Sequence, residues 1–285
     1  MNAAEPVSAT PRVEEGTAPK LRLRLGAILR DVTRGGLAAI IAGTLVLGLG
    51  ARLVMRIAAV LSPDATGSLT EADAAVGTIS ANGTLALILF GGLLSGAAAG
   101  VVWVVVSPWL PGRGQPRRAL AAVVALGLAG SFLARSSNRD FAILEADGLV
   151  VALLLGLIAA MGWVTAWLDD VLDRRLPTVS ADRSGALLAF GGVAALGCLF
   201  IPVATSIYLV NDTNSPYPMA GIGQAIAVVA VVTVVAWLVA IAGPGIAAKV
   251  RPSALRVVGG IAVAAATLIG YAHLVPEVGR ILAAG

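Results

Sequence analysis

The chain of 285 residues has one cysteine, Cys198, one histidine, His273, and only two lysines among its twenty basic residues. A single cysteine excludes an intrachain disulfide. With one histidine, the His-Glu-x-x-His motif and any cluster of cysteine and histidine ligands are excluded as well. Charged residues make up 13% of the chain, about half the share of a typical soluble domain. These shortages remove disulfide scaffolds, Cys/His metal clusters and enzymes built on the His-Glu-x-x-His motif from consideration.

Apolar residues are abundant: they form 58% of the chain, and the mean hydropathy is +0.91. Seven apolar runs approach or exceed the roughly 20 helical residues that cross a ~30 Å hydrocarbon core. They lie at 35–61, 84–106, 118–134, 148–168, 185–209, 221–243 and 254–275, the third being the shortest. No run alternates as a barrel strand does, so backbone hydrogen bonding in lipid requires helices. The sequence predicts an all-α polytopic membrane bundle of about seven transmembrane helices over residues 34–285.

Residues 1–33 form a separate polar tail, which we expect to be cytoplasmic and largely disordered as far as Lys20. Its last part, "LRLRLGAILRDVTR", predicts a short basic amphipathic helix on the membrane surface. The apolar run that follows is longer than that of a cleavable signal peptide.

Basic residues are distributed unevenly over the loops. With the N-terminus inside, the inner segments hold fifteen basic residues and the outer segments hold three, and the remaining two are Arg52 and Arg56. This asymmetry predicts a cytoplasmic N-terminus and an extracytoplasmic C-terminus in a multi-pass protein of a bacterial plasma membrane. All five tryptophans fall at inner ends of runs and all three tyrosines at outer ends, as headgroup-layer residues would. The positive charge follows topology, so the lipid bilayer is the expected partner and nucleic acid is not. A homo-oligomer or another membrane partner stays open.

Small residues recur at four-residue spacing in two runs. Gly92, Gly96 and Gly100 share one helix face in the second run, and Ala262, Ala266 and Gly270 repeat the pattern in the seventh. Both patterns predict close helix packing. Pro202 predicts a kink in the fifth run, with Thr205 and Ser206 near enough to bond the freed backbone groups.

No catalytic, cofactor-binding or metal-binding set emerges from the sequence. Ser95 and His273 would lie at different depths, and "LLSG" lacks the Gly-x-Ser-Gly context of an intramembrane serine protease. We therefore predict no catalytic residue, no cofactor and no metal.

Arg52 and Arg56 interrupt the first apolar run and share a helix face. Counted from Gly35, they lie about 25 Å and about 31 Å from the inner boundary. One interpretation is an anchor at the outer interface, paired with an outer-loop acid. The acids available for that pairing are Glu71, Asp73, Asp140 and Glu145. The other interpretation is an anion-attracting vestibule, since charges within spans often mark substrate paths; the anchor is preferred. In the same outer loop, Asn82-Gly83 is typical of a short hairpin.

Three stretches, "GARLVMRIAAVLSP", "VGTISANGTLALILFGGLLSG" and "SSNRDFAIL", resemble a group of actinobacterial multi-spanning integral membrane proteins without assigned activity. The resemblance covers about residues 34–170 and leaves out the last three helices. It implies a membrane helical fold and transfers no site residues.

Three function classes follow. A non-enzymatic membrane protein, acting as scaffold, accessory subunit or sensor, leads because the spans offer few ionisable groups. A small-solute transporter or channel using Arg52 and Arg56 at an outer vestibule is the alternative. A membrane-embedded enzyme comes last, because no nucleophile, base or metal set is present.

The predicted topology can be tested with single cysteines introduced as Ser68→Cys, Gly114→Cys and Thr213→Cys in a Cys198→Ala background. An impermeant thiol reagent applied to intact cells should label the first and third positions and not the second. Labelling at position 114 would contradict the assigned orientation.

Overall fold

The computed structural model describes residues 18–65, 67–68, 77, 80–136, 138, 148–179, 184–202, 219–242 and 252–284. Within these ranges the structure is 90% helical and has no strand, so the predicted all-α bundle is confirmed. Seven helices, α1 to α7, follow one another along the described chain. Helix α1 has three segments, Ala18–Ala42, Gly43–Leu49 and Gly50–Leu61, and the middle one is π-helical.

Helix α2 is built in the same way, from Ala81–Ala86, a π-helical Leu87–Leu94 and Ser95–Val106, followed by a 3₁₀ turn at Ser107–Trp109. The other helices are uninterrupted. They are α3 at Gln115–Leu133, α4 at Gly148–Arg175, α5 at Ser184–Cys198, α6 at Met219–Ala242 and α7 at Pro252–Ala284.

The helices alternate in direction along the chain. Arg34 meets Asp169 while Gly50 meets Leu157, so α1 and α4 run antiparallel. Contacts between α1 and α2, between α3 and α4 and between α1 and α6 are antiparallel in the same sense. For α1 and α2 the contacts are Gly36 with Gly100 and Gly48 with Gly92. For α3 and α4 they are Arg117 with Asp169 and Ala121 with Gly162. For α1 and α6, Arg24 near the start of α1 meets Ile241 at the end of α6. Helices α3 and α7 run parallel, because Gly127 meets Thr267 and Gly130 meets Leu274. Successive crossings of a membrane require this alternation.

Six of the seven helices are long and apolar enough to span a membrane: α1, α2, α3, α4, α6 and α7. The third run, the least secure by length, is one of them. Helix α5 has only 15 residues, about 22 Å at 1.5 Å per residue. It ends at Cys198, a turn follows at residues 199–200, and the backbone is helical again at Ile201 and Pro202, so the fifth run is interrupted just before Pro202. The reason is steric: Pro202 has no N–H for the Cys198 carbonyl, and its ring would clash with that oxygen. Residues 203–209 of the predicted run, with Thr205 and Ser206, lie outside the described residues.

Two local predictions were wrong. The basic stretch from Leu21 to Arg34 is helical but continuous with α1, and it packs on other helices rather than forming a separate surface helix. A β-carbon at Gly26 would contact Val179 and Leu187. Asn82-Gly83 is not a hairpin turn, because it forms the first turn of α2. Ser80 caps that turn by accepting the Gly83 N–H at 3.0 Å.

The predicted glycine patterns are packing positions. Beside α1, a β-carbon on Gly43 would lie 2.5 Å from the Gly96 Cα, and one on Gly96 would lie 2.9 Å from the Ala39 carbonyl oxygen. The two π-helical segments face each other along this seam, where Gly48 meets Gly92. At the second pattern, Gly270 packs on the backbone of Gly127. Helices α1 and α2, and likewise α3 and α7, therefore touch backbone to backbone.

Gly96→Ala should lower the thermal unfolding temperature in detergent, because the new methyl group meets backbone atoms that cannot move aside. The matched control is Gly36→Ala in α1, where a β-carbon would meet nothing within 4 Å and alanine favours the helix. Differential scanning fluorimetry should show a loss of several degrees for the first variant and none for the second. Equal unfolding temperatures would show that the seam tolerates a methyl group.

Candidate functional site

Eight charged side chains meet at the end of the bundle that carries the basic loops, which we call the basic end. Helix α1 supplies Arg30, Asp31 and Arg34, α3 supplies Arg117 and Arg118, and α4 supplies Asp169, Asp170 and Asp173. These residues are the Asp169 cluster. Residues four apart on a helix share a face, which places the pair Arg30 and Arg34 opposite the pair Asp173 and Asp169 on antiparallel helices.

Asp169 is the centre of the cluster, with a side chain that is only 2% exposed. The Arg34 Nε donates to its Oδ1 at 2.8 Å, and the Arg117 Nη2 donates to its Oδ2 at 3.1 Å. Each carboxylate oxygen is thus bonded by an arginine from a different helix. One buried carboxylate joins α1, α3 and α4.

The other two aspartates of α4 extend the network in opposite directions. Asp173 accepts from Arg30 and Arg34, each at 2.7 Å. Asp170 accepts from Arg117 at 3.3 Å and from Arg118 at 3.2 Å. Four arginines and four aspartates leave the cluster electrically neutral.

Helix α2 joins the cluster through an aromatic ring. The Arg117 guanidinium lies 5.5 Å from the centroid of Trp103 and also donates to the Ser107 carbonyl. A cation over an indole face is attracted by the ring quadrupole. Trp103 is buried, so this tryptophan packs in the protein interior, whereas the sequence pattern alone placed it in an interfacial belt. Trp163 and Trp167 of α4 are exposed, as belt residues would be.

Trp109, in the 3₁₀ turn that follows α2, is a second tryptophan that contacts another helix. Its Nε1 donates to the Thr233 hydroxyl of α6 at 2.8 Å. Thr233 is buried, and its single hydroxyl proton is shared between the Val105 and Val229 carbonyl oxygens, each 2.9 Å from its Oγ1. This polar link ties α6 to the basic end beside the Asp169 cluster.

Arg52 and Arg56, the residues singled out by the sequence, lie on α1 far from this cluster. The Arg52 Nε and Nη2 are buried, and no hydrogen-bond partner for them exists among the described residues. Arg56 is exposed and reaches the Gly77 carbonyl at 3.4 Å. The predicted partners Glu71, Asp73, Asp140 and Glu145 lie outside the described residues, so the pairing with an outer-loop acid stays a prediction.

Helix α4 gives an independent measure of the depth of Arg52. Gly50 packs on Leu157, and Leu157 lies twelve residues, about 18 Å, from Asp169 along α4. Arg52 follows two residues later and is therefore about 21 Å from the level of the cluster. Counted along α1 from Arg34, which bonds Asp169, Arg52 lies eighteen residues or about 27 Å away, so the two counts place it in the far part of a ~30 Å core.

Ser95 remains bonded within its own helix, since its hydroxyl donates to the Phe90 carbonyl at 2.9 Å. No group of three or more His, Cys, Asp or Glu residues in the described part of the chain could hold a metal ion.

Sequence reasoning counted the arginines of the basic end but missed their pairing. Arg34, Arg117 and their neighbours were assigned to membrane orientation alone. The available signal was the matched four-residue spacing of Arg30 and Arg34 in "LRDVTR" and of Asp169 and Asp173 in "LDDVLD". On antiparallel helices, this spacing lets two ion pairs form side by side, one turn apart.

Six membrane-length apolar helices in an all-α bundle make the chain a multi-pass integral membrane protein. No family model matches it, and neither a curated protein nor a solved structure matches it.

Asp169→Asn should destabilise the protein by about 3 kcal/mol, because it removes the buried negative charge to which both Arg34 and Arg117 donate. Asp31→Asn is the matched control: its side chain is 56% exposed and makes one 3.3 Å ion pair, so it should cost less than about 1 kcal/mol. Unfolding in mixed micelles measures both. In a double-mutant cycle, Asp169→Asn and Arg117→Gln should be less than additive. Equal losses for the two aspartates would show that the cluster does not hold the bundle together.

Proposed function

We propose that the chain is a non-enzymatic integral membrane protein of a bacterial plasma membrane, acting as a scaffold, an accessory subunit or a sensor. The observation that carries this proposal is the pairing of Asp169. A general acid or base needs a group that can exchange a proton with a bound substrate. Both oxygens of Asp169 instead accept bonds from arginines, so the most buried carboxylate of the basic end is committed to joining helices.

The location in a bacterial plasma membrane is inferred from two sequence features. One is the concentration of basic residues on one side of the predicted topology, as bacterial inner-membrane proteins show. The other is the resemblance of residues 34–170 to actinobacterial membrane proteins.

A transporter or channel for a small anion is the second candidate, and Arg52 favours it. Its Nε and Nη2 are buried and have no hydrogen-bond partner among the described residues; leaving charged donors unpaired is costly, and the cost falls if an anion occupies the site. Arg56, one turn further on, would raise the local concentration of that anion from the outer side.

Arg52→Gln separates the two candidates. If Arg52 is an anchor, the variant should accumulate to a lower level, and Arg52→Lys should restore part of it because lysine also extends toward the headgroups. Lysine cannot restore a bidentate contact. Arg56→Gln is the matched control and should leave abundance unchanged, since that side chain is exposed.

Transport is measured on purified protein in sealed vesicles loaded with chloride or inorganic phosphate. A scaffold, accessory subunit or sensor should give the same leak rate from wild-type vesicles as from protein-free vesicles. Efflux of either anion from wild-type vesicles, lost in Arg52→Gln at normal abundance, would overturn that proposal and establish transport.

A further inference from the structure

The charged residues of the basic end form two groups, a neutral cluster and a set of exposed basic residues. Within the described residues, all four aspartates of this end belong to the Asp169 cluster, where arginines neutralise them. A second set of basic residues is exposed around the cluster, and no described carboxylate forms an ion pair with any of them. This set, the basic rim, consists of Lys20, Arg22, Arg113, Arg174, Arg175 and Arg256.

Part of the basic rim forms one neighbourhood. Arg30 donates to the Leu176 and Pro177 carbonyls, immediately after the end of α4. Gly26, one turn earlier in α1, packs on Val179. The start of α1, which carries Lys20 and Arg22, therefore lies against the segment that follows Arg174 and Arg175.

Three leucines are exposed among these cations. Leu21, Leu23 and Leu25 are 42%, 37% and 38% exposed, and they alternate with Arg22 and Arg24. Apolar side chains beside long cationic ones suit the boundary between headgroups and acyl chains, where leucine enters the apolar layer and the cation stays with the phosphates. A nucleic acid or an acidic protein would use the cations and leave the leucines in water.

We propose that the basic rim binds the phosphate headgroups of anionic phospholipids, with the leucines of the first turns of α1 inserted beside them. Since the four described aspartates are already neutralised by the cluster, they do not repel a lipid phosphate as free carboxylates would. The protein thereby selects anionic over zwitterionic lipid at its basic end. This inference does not depend on whether the protein is a scaffold or a transporter.

The test uses the full chain reconstituted with equal parts of phosphatidylglycerol and phosphatidylcholine and then extracted in mild detergent. The lipids that copurify are quantified by mass spectrometry. Wild type should retain more phosphatidylglycerol than phosphatidylcholine. Each arginine replaced in an Arg22→Gln, Arg174→Gln, Arg175→Gln series should lower that enrichment by about fivefold at low salt, and salt should weaken it.

The matched control is Arg280→Gln on α7, an exposed arginine outside the basic end, which should leave the enrichment unchanged. A Leu21→Gln, Leu25→Gln variant should also lose enrichment, which binding of a nucleic acid would not predict. Equal retention of the two lipids by wild type, or undiminished enrichment in the triple variant, would overturn the proposal. So would binding of a single-stranded oligonucleotide that the leucine variant preserves while lipid enrichment is absent.

Discussion

The buried carboxylate of Asp169 is the constraint from which the arrangement of α1, α3 and α4 follows. Removing a carboxylate from water is costly, and only close hydrogen-bonded cations offset the cost. Asp169 obtains two of them, Arg34 and Arg117, from helices on either side of α4. The position of α1 along α4 is then set to within a turn, because Arg30 must meet Asp173 at the same time. That register extends along both helices and brings Gly50 against Leu157 near the other end.

Helix α1 meets a second constraint on its α2 side, and there the contact has no charge. Gly43 and Gly96 place backbone against backbone, so dispersion and close approach replace the ion pairs. The two constraints act together. Because α2 lies so near α1, Trp103 comes close enough for Arg117 of α3 to lie over its ring. Glycine packing on one face of α1 thus helps to complete a polar site built from its other face.

Features that depend on a single segment of the chain, such as the position of a helix, could be predicted from the sequence. Apolar length located the helices, and the spacing of Gly92 and Gly96 identified a packing face. The Asp169 cluster was not found, because its partners lie up to 143 positions apart in the chain and the positive-inside rule already accounted for every arginine in it. The interruption that Pro202 predicted in the fifth run is present, but it lies before the proline. In a continuous helix the Pro202 ring would clash with the Cys198 carbonyl, so the helix stops at Cys198 and helical backbone returns only at Ile201.

The two ends of α1 differ in charge balance, and this difference bears on function. Arg34 has its counter-charges within the cluster, whereas Arg52 has buried nitrogens without a partner among the described residues. Both arginines belong to one helix whose register is set by Asp169. Any anion that binds Arg52 must therefore accept the present position of α1, or it must supply enough binding free energy to separate Arg34 and Arg117 from a buried carboxylate. A site at Arg52 would thus be linked to the basic end through the helix that carries both arginines.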